Sequence, residues 1–423
     1  MKSSLLGSCA VALLFGSSLL LGACGDDTSA SGGGGTGGQG TGGAPDNNKP
    51  VCFGEGATGP TPSPRADTAG ALNTDGSKMV LFGGDEALPV CGQMPAREHV
   101  GDTWILDTAC GGWTPVTPAA APSARARHGM AFDAARDRAI LFGGRSRAGG
   151  SGNYDLYADT WAFDMATQSW SEIQTVGSPP VARYNAGVAI VGDVLYVFGG
   201  STAPSGTVFA PQNDLFALDL TTNTWTEMAA TGGRRPARLF HAMTSDPEGK
   251  KLYVVGGGDA QAFTGPFLDD AWSFDIATAT WTELGASFAE VPDPGRIKGG
   301  AMARPGEGGA TLFYFGGHDD GVLGNRNDTF ALDPAASSWR NAMQGDVFNK
   351  PGTGQCDFPP DFTVIDEASP DRRSAFAFAA RPDGKAFVIF GGDSDCGRLS
   401  DAWWFDADKE AWIMVRETLP GLV

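Results

Sequence analysis

Along the chain, short continuously apolar runs alternate with segments in which polar and apolar positions take turns, and this order recurs six times. Each apolar run closes on a double glycine: MVLFGG at Gly83-Gly84, AILFGG at Gly143-Gly144, LYVFGG at Gly199-Gly200, LYVVGG at Gly256-Gly257, LFYFGG at Gly316-Gly317 and FVIFGG at Gly391-Gly392. About four apolar residues bounded by a breaker predict a strand packed on both faces. The alternating segments follow as DTWILD, DTWAFD, DLFALD, DAWSFD, DTFALD and DAWWFD, beginning at Asp102, Asp159, Asp214, Asp270, Asp328 and Asp401. They predict a further strand each. Nine residues beyond the first aromatic of each stands a Trp: Trp113, Trp170, Trp225, Trp281, Trp339 and Trp412. The pattern predicts one four-stranded antiparallel sheet per repeat.

Each unit opens with a Pro-rich turn and an Arg: Arg65, Arg125, Arg183, Arg238, Arg296 and either Arg372 or Arg373, with the double glycine 16 to 20 residues later. Here the sequence resembles the Kelch family, over roughly residues 60 to 416. It departs from the family pattern in keeping the Arg-x-x-His start only at Arg125/His128 and Arg238/His241. One sheet cannot bury both its faces alone, so the expected fold is all-β, a six-bladed Kelch-type β-propeller of four antiparallel strands per blade. The repeats fall at approximately 60–118, 119–177, 178–231, 232–288, 289–345 and 346–417. The first repeat has its own leading segment and the last its own Trp412, so closure is expected to rely on packing and covalent ties rather than on a shared blade.

The N-terminus carries a different pattern. Lys2 precedes the apolar run AVALLFGSSLLL (Ala10–Leu21), too short and too early for a mature membrane span, which predicts a signal peptide over residues 1–23. Leu21-Gly22-Ala23-Cys24 resembles the bacterial lipobox, which implies lipid attachment at Cys24 and an exported protein anchored to the cell envelope without spanning it, at the outer membrane or cell surface or, as the alternative, facing the periplasm. Residues 24–50 are Gly-rich and polar, a flexible tether, leaving 51–423 for the propeller. The tether contains a literal G-x-G-x-x-G at Gly35, Gly37 and Gly40, but no strand precedes it and no helix follows, so it is no dinucleotide site.

Charge narrows the partners. The chain carries a formal net charge of -19, which repels phosphate backbones and anionic lipid and argues against nucleic acid. A monomer binding an unknown protein or glycan is expected. Export permits disulfides. In blade-equivalent positions Cys52 and Cys91 form one candidate pair and Cys356 and Cys396 another. Cys110, in a turn on the other face, is left unpaired, although Cys52 to Cys110 stays open if the N-terminal segment wraps outward.

Candidate chemistry is sparse. Ten of the eleven Trp fall in the two aromatic columns, where core packing accounts for them; Trp404 is the exception. His128 and His241 belong to the repeat start. The spacing of Tyr, Cys and His does not suit the copper-radical set of galactose oxidase, which is Kelch-like, and no nucleophile elbow, phosphate loop, HExxH or CxxC occurs. The functional expectation is a membrane-tethered binding or scaffolding module without a catalytic set or cofactor. One alternative is a sugar-modifying enzyme of the sialate mutarotase kind. Another is a structural propeller stabilised by calcium at Asp393, Asp395, Asp319, Asp320, Asp269 and Asp270. The connections after the second strand vary from 17 residues (Asp85–Gly101) to eight (Asp393–Ser400), and an insertion spans Asn341–Ser369. Variable loops on a rigid scaffold are where binding residues concentrate. The candidate binding face is therefore Asp85, Arg145, Ser201, Asp259, His318 and Asp393, with Arg147, Asp319, Asp320 and Asp395 beside them, expected as solvated rim charges.

Overall fold

The computed structural model describes residues 59–417 apart from 87–97, 150–151, 234, 262–263, 286–294, 307–308, 320–323, 334–336, 350–362 and 396. Among them there is no helix; six sheets of four or five strands stand in a ring, with two short two-stranded ladders beside them. The first strands line the axis: Ala69–Leu72, Gly129–Asp133, Gly187–Val191, Ala242–Ser245, Gly300–Gly306 and Ala377–Ala380. The apolar runs are the second strands, buried on both faces, as in Lys78–Asp85 and Ala386–Asp393.

Every blade takes its four antiparallel strands from its own repeat, the first and sixth included. The ring closes by packing. Leu72, Met79, Leu81 and Trp113 of the first blade share a core with Val388, Phe390 and Trp404 of the sixth, which is where the Trp outside the repeat columns is used. Blades 3 and 4 gain a fifth strand that the sequence pattern does not predict. Val176–Gly177 runs parallel to Thr224–Glu227, and Thr231–Gly232 parallel to Thr280–Glu283, so the chain leaving one blade covers the open edge of the next.

The repeat-start arginines and the Asp of each third strand are partners. Arg183 Nη1 and Nη2 donate to the two Asp214 oxygens at 2.6 and 3.0 Å, and Nη1 also donates to the Gly199 carbonyl at 2.9 Å. The same fork joins Arg65 to Asp102, Arg125 to Asp159, Arg238 to Asp270 and Arg296 to Asp328. In the sixth blade it is Arg373 that pairs with Asp401, at 2.7 and 2.8 Å. Planar bidentate pairing suits Arg.

The double glycines meet the next blade. The N–H of Gly84 donates to the Arg125 carbonyl at 2.9 Å, and a Cβ on Gly83 would stand 2.6 Å from that oxygen. The last of these contacts closes the circle: Gly392 donates to the Arg65 carbonyl at 2.9 Å. Both glycines have positive φ, 62° and 113° at Gly83 and Gly84, a backbone that only glycine enters freely.

Candidate functional site: the channel mouth

Two residues beyond each repeat-start Arg, the chain turns into the innermost strand through a left-handed residue: Asp67, Arg127, Asn185, Phe240, Lys298 and Ala375, with φ between 51° and 62°. Their backbones link blade to blade around the axis. Asp67 donates to Ala375, Arg127 to Asp67, Asn185 to Arg127, Lys298 to Phe240 and Ala375 to Lys298, at 2.7–3.0 Å. Left-handed non-glycine residues carry a conformational cost, here held by these bonds. The side chains at this ring form the mouth of the channel.

Below the mouth a narrow bore runs along the axis. It has a volume of ≈ 120 Å³ and is lined by the innermost strands with residues such as Met130, Val188, Met243, Ala301 and Phe378. Arg381, near its far end, is the titratable side chain among the lining. A sugar-modifying mechanism needs acid and base groups around a pocket, and this bore does not offer a pair.

The residues after the double glycines are at the mouth, but they are not solvated rim charges. Each pairs its backbone with the repeat start, as in the Ala66–Asp85, Ala126–Arg145, Tyr184–Ser201 and Ser374–Asp393 bridges. Asp85, Arg145, Ser201 and Asp319 are buried. The equivalent position in blade 4 is Gly258, which bridges Leu239. Asp259 lies one residue on, exposed, its carboxylate accepting the Gln261 N–H at 2.7 Å. Ser201 Oγ accepts the Ala210 N–H at 3.1 Å. Cys24, Cys52, Cys91, Cys356, Cys396 and Asp320 lie outside the described residues. Cys110 is disulfide-bonded rather than unpaired.

From blade 5 through blade 6 to blade 1 the acids meet arginines. Arg398 donates to Asp85 at 3.1 Å and to Asp393 at 2.9 Å, across the seam between the last and first blades. Arg326 donates to Asp319 at 3.1 Å. Arg372 joins Asp395 at 3.0 Å and Asp346 at 2.5 Å. The ring of His318 shares a 3.3 Å contact with Asn325, and burial holds its pKa below the ordinary histidine value. Among the described residues no group of three or more His, Cys, Asp or Glu is placed to hold a metal.

Blades 2 and 3 are different. Arg145 lies 3.8 Å from the Tyr154 ring centroid and 4.4 Å from that of Tyr184, while Arg147 lies 4.4 Å from Tyr154. Burial, and then the charge of Arg127, lower the Arg145 pKa to about 9. Arg127 pairs with Asp67 at 2.8 Å, and Lys298 approaches Asp67 at 3.8 Å. Arg127, Tyr184, Asn185 and Lys298 were not among the sequence candidates. For Arg127, Asn185 and Lys298 a signal was available: the position two beyond the repeat-start Arg holds a different residue in each of the six repeats, whereas Tyr184 stands one position earlier.

Comparison with known proteins completes the assignment. The profile of the KLHDC2/KLHL20/DRC7 Kelch-repeats domain matches residues 56–244 and 187–355. The chain belongs to the Kelch-repeat family. It is 29% identical over 307 residues to Kelch domain-containing protein 3 of Rattus norvegicus, covering 69% of this chain and 70% of that protein. It is 27% identical over 303 residues to acyl-CoA-binding domain-containing protein 4 of Arabidopsis thaliana, covering 69% of this chain and 40% of the relative. It is also 29% identical over 316 residues to the N-(sulfonatooxy)prop-2-enimidothioate sulfolyase of Thlaspi arvense, covering 70% and 78%. A Kelch propeller supports a protein-binding or scaffold module. Relatives of such different names show that the fold alone does not assign a reaction.

Proposed function

We propose that this Kelch propeller is an extracytoplasmic binding module, held at the cell envelope by a lipid on Cys24 and a Gly-rich tether, that engages its partner through the channel mouth. The observation that carries the reading is the contrast between the mouth and the rest of the axis. Charged and aromatic side chains collect at the mouth on a ring of blade-to-blade backbone hydrogen bonds, whereas the bore behind them is narrow and lined mostly by uncharged side chains. The unlike residues at equivalent positions support specificity, since a purely structural position would tolerate repetition.

Two experiments test the two halves. Cys24→Ser is expected to move the protein from the membrane fraction to the soluble or precursor pool; unchanged membrane association contradicts the anchor. Arg147→Ala with Asp259→Ala, both at the mouth end, is expected to weaken capture of the native partner, while Asp193→Ala with Lys385→Ala on the opposite face leaves it intact. The reverse result contradicts the assignment of the working face.

A further inference from the structure

At the mouth between blades 2 and 3 lies a cluster of buried hydrogen-bond donors that the fold does not use. Arg145 Nε and Nη1, Arg127 Nη1, Tyr184 Oη and Asn185 Nδ2 find no acceptor among the described residues. Arg145 is 2% exposed, Arg127 4% and Tyr184 0%, so bulk water does not solvate these atoms. The groups are neighbours. Arg145 Cζ is 4.4 Å from the Tyr184 ring centroid and Arg127 Cζ is 6.0 Å from it, and the Asn185 N–H donates to the Arg127 carbonyl at 2.9 Å.

Buried donors without acceptors are rare and costly, and a buried guanidinium more so than a neutral group. Packing alone does not call for the charge at residue 145, because its equivalents are Asp85, Ser201, Gly258, His318 and Asp393. Stacking on Tyr154 and Tyr184 orients the guanidinium without satisfying its N–H groups. The nearby counter-charge, Asp67, is engaged by Arg127 Nε and faces Lys298. The cluster therefore has donors and positive charge in surplus, and the complement of both is an oxyanion.

We propose that Arg145, Arg127, Tyr184 and Asn185 form a binding pocket for the carboxylate group of a small organic acid. A singly charged, planar oxyanion fits a guanidinium held between aromatic rings. A polyanion would meet repulsion from a chain of net charge -19. The proposal rests on the mouth being the working face and names the ligand chemistry of that face.

The test uses the purified full chain, titrated calorimetrically with sodium acetate and separately with sodium sulfate, each against sodium chloride at equal ionic strength. Saturable acetate binding is expected, weakened at least about tenfold in Arg145→Gln, since loss of one charge-assisted pair is worth roughly a factor of ten or more. Tyr184→Phe, which removes one hydroxyl and keeps the ring, is expected to weaken it several-fold, and Lys385→Gln to leave it unchanged. Tyr184→Phe also carries the test should Arg145→Gln fail to fold. No saturable acetate response overturns the proposal, as does binding that both mouth variants retain, or a preference for sulfate. If acetate fails while Arg147→Ala with Asp259→Ala still releases the native partner, the carboxylate pocket falls and the working face stands.

Discussion

The blade 6 to blade 1 seam and the blade 2 to blade 3 sector share one backbone design and differ in how they treat buried charge. At the seam Asp85 is fully buried and Arg398 reaches across from the last blade to meet it, with Asp393 on the other side of the same guanidinium. Between blades 2 and 3 the equivalent of Asp85 is Arg145, equally buried, with tyrosine rings in place of a carboxylate. One arrangement pairs its buried charge within the fold; the other leaves donors without an acceptor among the described residues. The comparison separates scaffold from site. A ring must hold where its ends meet, so charges there are paired, whereas the polar cluster between blades 2 and 3 is where the proposed ligand would complete the hydrogen bonds.

The contrast is sharpest in stability. Arg398→Met removes the cation shared by two acids, one of them fully buried, and is expected to destabilise by about 3–5 kcal/mol in urea denaturation. Acid should reveal a second difference. His128 and His241 are buried, and burial lowers both to a pKa of about 3, against about 6.5 in the unfolded chain. The unfolded state then binds more protons, so stability falls as pH drops below about 6.5 and continues to fall toward 3. Between pH 7 and pH 5 the expected loss is roughly 2 kcal/mol per histidine. Asp102 and Asp159 are held low by their bonded arginines despite burial, so their contribution is lost only below about pH 4. His128→Phe with His241→Phe should flatten the pH 5–7 limb and make the fall below pH 5 shallower, leaving the part due to the carboxylates; an unchanged pH 5–7 limb removes the assignment. Arg145→Met is expected to change stability by less than about 1 kcal/mol, or to raise it, because it removes an unsatisfied buried charge and keeps the packing. A cost matching that of Arg398→Met would break the comparison. Asp193→Asn, in an exposed pair with Arg136, should shift stability by less than about 0.5 kcal/mol.

Much of this fold is legible in the sequence because its physical demands repeat. Gly83-Gly84 and its five counterparts must turn where the next blade's Arg carbonyl leaves no room for a Cβ, and that need stamps the same dipeptide on every repeat. The Arg and Asp columns are equally visible, though their pairing, Arg183 with Asp214 for example, is a through-space fact that spacing does not state. Trp404 looks anomalous along the chain and ordinary at the closing interface. The site is harder to read for the opposite reason. Arg127 and Asn185 stand out because they differ from their counterparts, and Arg145 because among the described residues no carboxylate pairs with it. Burial also reverses the expected character of Asp85 and Asp319: loop charges assigned to solvent are enclosed and ion-paired.

The central claim, that the channel mouth is the working face, is tested most directly by site-specific photo-crosslinking in the native host cell. A photoreactive residue is placed at Arg147, beside Tyr154 at the mouth, and in a second variant at Lys385 on the opposite face. The account expects a discrete crosslinked species from position 147, lost when Arg145 is also changed to Gln, and none from position 385. A crosslink from 385 with none from 147 contradicts it.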